Sequence, residues 1–462
     1  MKNSPYSHDT IAAIATPPGE GGVAVLRISG PEAVGVADHV FMGRSPLREV
    51  GAGHVVYGRI TAPGSKTVID EVLATVFRAP RSYTGEEVVE LSGHGGVFVS
   101  RKVLEAVLSA GARLARPGEF TQRAFLNGKL DLAQAQAVAD LIHARSESAR
   151  RVAVAQLGGR LSVVLQGFRQ TLIEACGLLE IELDFVAEDI EAIDKTALAE
   201  TLEALRREVR TLIQTYERGR VCREGVRLVI LGKPNVGKSS LLNALLARER
   251  AIVTDTPGTT RDTIEDQLDL DGLLVTITDT AGIRQSNDPV EQEGVRRSEA
   301  AAHQAGIVLV VLDGSRVLDE EDRAVISLAQ SLNVPQLLVR NKSDLETFVK
   351  PSSPELLEAS LSISAQTGAG VDALVQEIKA HALGDGLPGV DDVVIAHLRH
   401  RDALANTASF LSQALASLAD DMSQEFVALD LRGALESLGE ITGETTADDI
   451  LNHLFSSFCI GK

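Results

Sequence analysis

A glycine-rich segment in the middle of the chain has the residue types that bind phosphate. Gly232, Gly237, Lys238 and Ser239 fit GxxxxGK[ST], with the apolar run RLVIL before them and SSLLNALLAR, at helical spacing, after them. In this strand–loop–helix context, backbone N–H groups and the helix N-terminus surround phosphates. The lysine neutralises the β- and γ-phosphates and the serine hydroxyl ligates Mg²⁺. The segment predicts a nucleoside triphosphate site. Its expected contacts are Asn235, Val236, Gly237, Lys238, Ser239 and Ser240.

A later motif selects the base. Asn341, Lys342 and Asp344 belong to NKSD, which follows the apolar run PQLLVR. A carboxylate at Asp344 accepts hydrogen bonds from guanine N1–H and the 2-amino group, and adenine offers neither; such a site rejects the wrong base strongly. The loop Ser364, Ala365, Gln366 follows the run LSI and is expected to offer backbone N–H to guanine O6. The base is therefore predicted to be guanine.

Two stretches between these motifs supply the parts needed for hydrolysis. Asp279, Thr280, Ala281 and Gly282 form DTAG after the run LLVTIT. Asp279 is placed to hold Mg²⁺ through water, and the Gly282 N–H can meet the γ-phosphate. Thr260, in TDTPGTTRD, is the expected switch threonine, with its hydroxyl on Mg²⁺.

The residue after DTAG departs from the pattern of small regulatory GTPases. Those proteins carry a water-orienting glutamine there, whereas this chain has Ile283. An aliphatic side chain cannot orient water. Catalytic help must therefore come from elsewhere.

Composition and charge narrow the function classes. The 462 residues carry a net charge of −19, with 13 Lys and Arg against 12 Asp and Glu in residues 1–125 but 20 against 37 in residues 221–462. A broad non-specific grip on polyphosphate needs a basic surface, so nucleic acid would require a local patch or a partner. The sequence has three scattered cysteines and no run of about 20 apolar residues, and its first residues lack a signal-peptide pattern. We therefore expect a cytoplasmic protein that does not associate with membranes.

The apolar periodicity predicts four segments. Residues 1–125 read as α+β, with strands near 23–28, 54–60, 68–77 and 88–91 and a helix near 100–110. Residues 126–220 read as helical, and 221–386 alternate strands with helices, as in a parallel α/β sheet. Helical texture returns over 387–462. The fold class predicted is an α/β P-loop GTPase domain inserted in an all-α domain, after an α+β N-terminal domain.

The sequence resembles the tRNA-modification GTPase family MnmE (TrmE) nearly from end to end. The stretches that carry this resemblance are TPPGEGGVAVLRISGP (16–31), SYTGEEVVELSGHGG (82–96), ARPGEFTQRAFLNGKLDLAQAQAVADLI (115–142) and the final Cys459-Ile-Gly-Lys462. The resemblance implies a folate-binding-like N-terminal domain that forms a homodimer. It also implies a C5 modification, of carboxymethylaminomethyl or aminomethyl type, at the wobble uridine of certain tRNAs. The implied one-carbon source is a tetrahydrofolate derivative of 5-formyl or methylene type, and the implied partner is the flavin-dependent MnmG (GidA), in a heterotetramer.

The same resemblance assigns roles in the GTPase site. It implies that GTPase domains meet across the dimer and that K⁺ is held by Asn235, Thr254, Thr256 and Thr259, with Thr254 and Thr259 also near the nucleotide. It makes Glu291 the residue that orients the attacking water, beside Lys238 and Thr260 as catalytic residues. From the residues alone, Asn235 could merely shape the loop and Glu291 reads as a surface carboxylate.

For the folate, the resemblance points to Arg27, Glu90, Lys129 and Lys462. A carboxylate such as Glu90 suits the guanidine-like edge of a pterin; a surface salt bridge is the alternative for each residue. Cys459 either adds as a thiolate to uridine C6 or only lines the pocket. Two other functions stay open: a GTPase acting as a ribosome-assembly factor, and a folate-binding scaffold with vestigial GTP turnover.

Overall fold

The computed structural model describes most of the chain in two compact units. Described are residues 9–184, 194–248, 265–278, 306–332, 334–349, 360–384, 386–389, 391–445, 451, 454–456 and 458–461. The first unit comprises Met1–Ala139, Ser162–Ile173 and Arg432–Lys462, and the second comprises Asp140–Leu161 and Glu174–Leu431. Each unit has its own sheet.

The sheet of the first unit has the strand order β3-β4-β5-β6-β2-β1-β7. Its strands are β1 Ile11–Ile14, β2 Gly21–Ser29, β3 Phe41–Gly43, β4 Val55–Thr61, β5 Val68–Phe77, β6 Val88–Gly95 and β7 Arg113–Leu114. Pairing is antiparallel except between β1 and β7. Because side chains alternate across a strand, one face carries buried residues such as Val72, Ala74 and Val76. Helices α1 (Ala33–Val40) and α2 (Val97–Ser109) cover this face.

α3 and Tyr83 cover one end of the second face of this sheet. Phe120, at the start of α3 (Glu119–Leu126), is fully buried with Ile11 and Ala13, and Tyr83 packs against them. α3 begins at Gly118, whose φ of 68° and close contact with Phe455 require glycine. The C-terminal residues therefore pack beside α3 at this end of the sheet.

Helices make up most of the remainder. Their bounds are α4 Leu132–His143, α5 Glu147–Leu157, α6 Arg160–Asp184, α7 Lys195–Gln214, α8 Tyr216–Glu224, α12 Leu398–Ala419 and α13 Gln424–Thr442. Short polar side chains start two of them. Ser146 accepts a hydrogen bond from the Ala149 N–H at the start of α5, and Asp194 accepts from Thr196 and Ala197 at the start of α7. Such caps satisfy the first N–H groups of a helix.

The sheet of the second unit has the order β13-β12-β11-β8-β10-β9. Its elements are β8 Val226–Leu231, α9 Lys238–Arg248, β9 Glu265–Leu270, β10 Leu273–Thr278, β11 Ile307–Asp313, α10 Glu320–Ser331, β12 Gln336–Asn341, β13 Ser360–Ser362 and α11 Val371–Leu383. All pairs are parallel except β9 with β10. The apolar core on one face of this sheet includes Val152 of α5, Val221 of α8 and Val394. The parallel strands end at the edge where the nucleotide motifs begin.

The predicted fold class is confirmed. The predicted strands correspond to β2, β4, β5 and β6 in the first sheet and to β8, β10, β11, β12 and β13 in the second. The uninterrupted helical pattern after Leu130 is divided at residues 144–146, where Ser146 caps a new helix. The antiparallel strand β9, with charged residues in EDQLDL, was not predicted. Within the part of the chain that the structure covers, no helix is both long and apolar enough to cross a bilayer.

Candidate functional site

The phosphate-binding loop follows β8 directly and requires unusual backbone angles. Gly232 has φ 155° and Gly237 has φ 99°, both in the range that glycine adopts readily. Asn235 is exposed in this loop and has φ 63°, a left-handed conformation that asparagine tolerates better than most residues. Lys238 and Ser239 then open α9. The backbone therefore has the turn and helix N-terminus predicted for a phosphate cradle.

The side chain of Lys238, at the end of the phosphate-binding loop, reaches back to the start of the loop. Its Nζ donates to the main-chain oxygens of Gly232 at 2.6 Å and Lys233 at 2.8 Å. Burial lowers the pKa of Lys238 below its ordinary value. A partly buried cation held by two neutral carbonyls is well prepared to take an anionic partner, because phosphate oxygens would offset the cost of its desolvation.

Asn341 links the base-recognition motif to the phosphate-binding loop. It is 3% exposed; its Nδ2 donates to the Val236 oxygen at 2.9 Å, and its Oδ1 accepts from the Ala365 N–H at 2.9 Å. A Cβ at Gly237 would lie 2.1 Å from Asn341 Nδ2. Three segments far apart in sequence thus meet at one amide, and only glycine fits beside it.

The remaining base-site residues lie in the same neighbourhood. Ser364, fully buried, donates from its hydroxyl to Asp344 Oδ1 at 2.5 Å, which orients a carboxylate that is otherwise exposed. Lys342 has φ 67°, and its Nζ lies 2.6 Å from Asp313 Oδ2 at the end of β11. The Ala365 N–H faces Asn341, so a guanine O6 would have to replace that acceptor or use the N–H of Gln366.

One contact of the phosphate-binding loop was not predicted. Lys233 is ion-paired with Asp319 and lies 3.1 Å from Glu321 and 3.9 Å from Asp322. Asp319 and Asp322 also form the capping box of α10. The loop is therefore fastened to the start of a neighbouring helix. The acidic run DEED (319–322) was a signal, but nothing in the sequence indicated its partner.

Much of the predicted hydrolytic machinery lies outside the described residues. These residues are Thr254, Thr256, Thr259, Thr260, Asp279, Thr280, Ala281, Gly282, Ile283 and Glu291. Lys462, predicted for the folate site, also lies outside the described residues. Among the residues that are described, no group of three His, Cys, Asp or Glu side chains is arranged to hold a metal. Within the described loop, Ser239 carries a hydroxyl in the first turn of α9, and Asn235 carries an exposed side-chain amide. Oxygen donors of these kinds fit hard cations.

A second polar site lies on the sheet of the first unit. Arg27 on β2 and Glu90 on β6 are direct cross-strand partners, and Arg27 Nη2 lies 2.8 Å from Glu90 Oε1. The guanidinium lies over the rings of Tyr83, at 5.2 Å, and Phe120, at 5.6 Å. Its Nη1 is buried and has no hydrogen-bond partner among the residues that the structure describes. A buried donor of this kind is costly unless a ligand satisfies it. Tyr83 and Phe120 were missed as site residues, although both lie in the stretches that carried the family resemblance.

Lys129 and the described C-terminal residues contact other segments of the first unit. Lys129 is exposed and donates to the Pro80 oxygen at 3.1 Å, on the loop that carries Tyr83. The Gly118 N–H, just before Phe120, donates to the Cys459 oxygen at 3.4 Å. Gly461 packs against Ile14 and Ala15, and its φ of 100° suits glycine. Cys459 is exposed. The C-terminal residues are thus brought to the end of the sheet where Arg27 lies.

The comparisons with known proteins agree along the whole chain. A family model described as the MnmE helical domain matches residues 132–459, and one described as the N-terminus of the GTP-binding protein TrmE matches residues 10–129. The tRNA modification GTPase MnmE of Syntrophotalea carbinolica is 46% identical and covers 98% of this chain and 99% of the relative. The corresponding protein of Geobacter metallireducens is 43% identical and covers 99% of this chain and 100% of the relative.

Among solved structures, Era from Aquifex aeolicus bound to GDP and AlF₄⁻ is 27% identical and covers 40% of this chain and 66% of that one. Its TM-score is 0.28, too low to support a functional assignment.

The fold and the nucleotide site define the class of the protein: it is a P-loop GTPase with an N-terminal α+β domain and an accompanying helical domain. More narrowly, the chain belongs to the MnmE (TrmE) family, whose curated members are named tRNA modification GTPases.

Proposed function

We propose that this GTPase is the GTP-hydrolysing component of a tRNA-modifying complex. It would help to add a carboxymethylaminomethyl- or aminomethyl-type group at C5 of the wobble uridine, with a tetrahydrofolate as the one-carbon source. The observation that carries this proposal is family membership over 98–99% of the chain. A shared GTPase domain alone would not reach the flanking segments that hold Arg27 and Cys459.

The GTP-binding part of the proposal is supported by the contacts of Asn341, Asp344 and Lys238. Asp344 would select guanine, and Lys238 would receive the β- and γ-phosphates in place of its two carbonyl partners. We propose Thr260 as the switch threonine and Glu291 as the residue that orients the attacking water. These two roles follow from matching motifs, since both residues lie outside the described part of the chain.

Two cations fit the proposed site. Mg²⁺ would be held by Ser239, Thr260 and, through water, Asp279; K⁺ would be held by Asn235, Thr254, Thr256 and Thr259. Bound there, the cations would supply positive charge near the phosphates, a task that an arginine finger performs in other GTPases. Asn235 supports this because it places an exposed side-chain amide in the phosphate-binding loop, at a left-handed backbone position.

The proposed folate site is supported by Arg27 and Glu90. The guanidinium pairs with the carboxylate and lies over the rings of Tyr83 and Phe120, a setting that suits a flat heterocycle with donors and acceptors along one edge. The buried Nη1 of Arg27 offers a donor for a ligand oxygen. We assign Lys129, and Lys462 at the end of the tail, to the outer part of the same ligand. Cys459 stays a candidate either for covalent chemistry or for lining the pocket.

Homodimerisation is supported by the uncovered part of the N-terminal sheet. Val55 and Tyr57 on β4 and Leu73 on β5 are 57%, 58% and 48% exposed, and Tyr57 and Leu73 are direct cross-strand partners. Contiguous apolar side chains at a protein surface often mark a site of association with another protein. We propose that a second copy covers this face.

The remaining assignments concern partners and location. We propose a heterotetramer with a flavin-dependent MnmG partner, a tRNA substrate and a cytoplasmic location. The acidic residues 221–462, with 20 Lys and Arg against 37 Asp and Glu, favour a partner that supplies much of the tRNA contact.

Nucleoside analysis of tRNA tests the proposal. In cells without this protein, the C5 substituent at the wobble uridine should disappear, and the wild-type chain should restore it. The Asp344→Asn variant, impaired in GTP binding, should fail to restore it. An unchanged wobble nucleoside profile would contradict the proposal and favour the ribosome-assembly alternative, which predicts altered ribosomal subunit ratios instead.

A further inference from the structure

A cleft of about 540 Å³ lies in the second unit, apart from the sites described above. One wall is α5 and the residues just after it. The other is part of residues 386–397, which lead from the last helix of the GTPase domain to α12 and are called the return segment here. Clefts of roughly 300–1,000 Å³ with mostly apolar walls are typical small-molecule sites.

The floor of the cleft is apolar and continuous with a core. Val152, Leu161 and Val394 line it and are each under 10% exposed. Val152 and Val394 also belong to the buried cluster beneath the GTPase sheet. Further apolar lining comes from Val154, Ala155, Pro388 and Val393. A ligand with an apolar body would therefore rest on a close-packed surface.

Each wall is fixed by contacts outside the cleft. The Ser148 N–H of α5 donates to the Gly272 oxygen, and the Ser148 hydroxyl donates to the Cys222 oxygen, both at 3.1 Å. On the other wall, Arg218 Nε donates to the Gly386 oxygen at 2.8 Å, and its Nη2 donates to Asp392 at 3.2 Å. Because α8 holds both walls, one through Cys222 and the other through Arg218, the cleft is preformed and ligand binding needs little reorganisation.

The rim carries a surplus of positive charge. Arg150 makes two hydrogen bonds of 2.7 Å to Glu147, and Arg151 donates to the same carboxylate at 2.9 Å. Hydrogen bonds from Arg150 and then Arg151 lower the pKa of Glu147 to about 2. The two other charged residues of the lining, Arg160 and Asp392, are paired with Asp391 and Arg218. Among the described residues, the rim therefore carries one guanidinium charge more than it carries carboxylates.

We propose that this cleft is a binding site for a small organic anion with an apolar body and one acidic group. The apolar part would lie on the floor formed by Val152, Leu161 and Val394. The acidic group would take donors from Arg150 and Arg151 that Glu147 does not use. Arginine suits this task because its planar fork matches carboxylate, sulfonate or phosphate oxygens.

Titration of the full-length chain with 8-anilinonaphthalene-1-sulfonate tests the proposal. Ala155→Phe, which fills the cleft from the α5 wall, should reduce the number of saturable binding sites by one. The double variant Arg150→Gln/Arg151→Gln should weaken that site by about tenfold or more, the loss of one charge-assisted contact. The uncharged N-phenyl-1-naphthylamine should bind the wild type and the double variant with equal affinity.

Arg220→Gln is the matched control. Arg220 makes the same kind of pair with Glu217, three residues earlier on α8, and does not line the cleft. It should leave sulfonate binding unchanged. Equal stoichiometry and affinity in wild type, Ala155→Phe and the double variant would overturn the proposal. If Ala155→Phe fails to bind GTP and is misfolded, the double variant and its neutral-probe comparison decide.

Discussion

The side-chain amide of Asn341 donates a hydrogen bond to the main-chain oxygen of Val236 at 2.9 Å, across 105 residues of sequence. Its oxygen accepts from the Ala365 N–H at the same distance. One buried side chain therefore holds the phosphate-binding loop and the base-binding loop in register. Binding of the base and binding of the phosphates consequently depend on a common contact.

Base selectivity should change with Asp344→Asn. An amide can accept from N1–H and donate to a 2-oxo group, so xanthosine triphosphate should replace GTP as the preferred nucleotide. GTP affinity should fall by roughly 100-fold, about 3 kcal/mol for two charge-assisted bonds. Titration with fluorescent analogues of both nucleotides measures the exchange. Asn341→Ala is the contrast: it should weaken both nucleotides by about tenfold or more without changing the preference. An Asp344→Asn variant that still prefers GTP would contradict the assigned role.

Cation dependence should reside in Asn235. Because its φ is 63°, alanine would add backbone strain to the loss of the amide. Asn235→Gly keeps the backbone angle accessible and removes only the ligand. Wild-type GTP turnover should rise at least about tenfold when Na⁺ is replaced by K⁺. The glycine variant should hydrolyse GTP at the same rate in both salts. GDP affinity should stay unchanged in the variant. Equal wild-type rates in the two salts would exclude a K⁺ role.

Folate binding should depend on the planar fork of Arg27. Arg27→Lys keeps the charge but loses the paired donors to Glu90 and the planar group that lies over the rings of Tyr83 and Phe120. Calorimetric titration with 5-formyltetrahydrofolate should show an affinity about tenfold lower or worse, while GTP turnover is retained. Arg101→Lys is the control, since Arg101 also pairs with a glutamate, Glu105, but is exposed on α2. Similar effects of both substitutions would argue against a specific site.

Acid stability of the first unit should depend on Glu119. Its carboxylate is 1% exposed; burial alone would raise the pKa, but hydrogen bonds from Arg113 and the Arg116 N–H and the charge of Arg123 lower it to about 2. A carboxyl group whose folded pKa lies below its unfolded value stabilises the fold above about pH 4.5, and this stabilisation is lost as the pH falls towards 2. Glu119→Gln should therefore be less stable at pH 7, by up to about 3 kcal/mol.

The difference between wild type and Glu119→Gln should shrink between pH 4.5 and 2. Amide hydrogen exchange in β1 and α3 follows it locally, which avoids treating the whole chain as one unfolding unit. Glu105→Gln serves as the control because Glu105 has two cationic partners, Arg101 and Lys102, but is exposed. Its substitution should leave exchange in β1 and α3 unchanged. If the stability difference between wild type and Glu119→Gln does not change with pH, the effect of the substitution comes from packing and not from the charge of Glu119.

The sequence by itself determined the fold class, the nucleotide and most of the strands. Local patterns suffice for these, because a phosphate-binding loop, NKSD and apolar runs each carry their meaning within a few residues. It also indicated Arg27 and Glu90 through the family resemblance, though their role as folate ligands remains a prediction.

Only the tertiary structure decided which distant residues meet. The antiparallel register of β2 and β6 placed Arg27 opposite Glu90, and packing of α3 and the loop before β6 added Phe120 and Tyr83. The same holds for Lys233 on Asp319 and for the cleft between α5 and the return segment. Such contacts depend on how elements pack over long sequence separations, and a one-residue change of strand register would exchange the faces of a sheet.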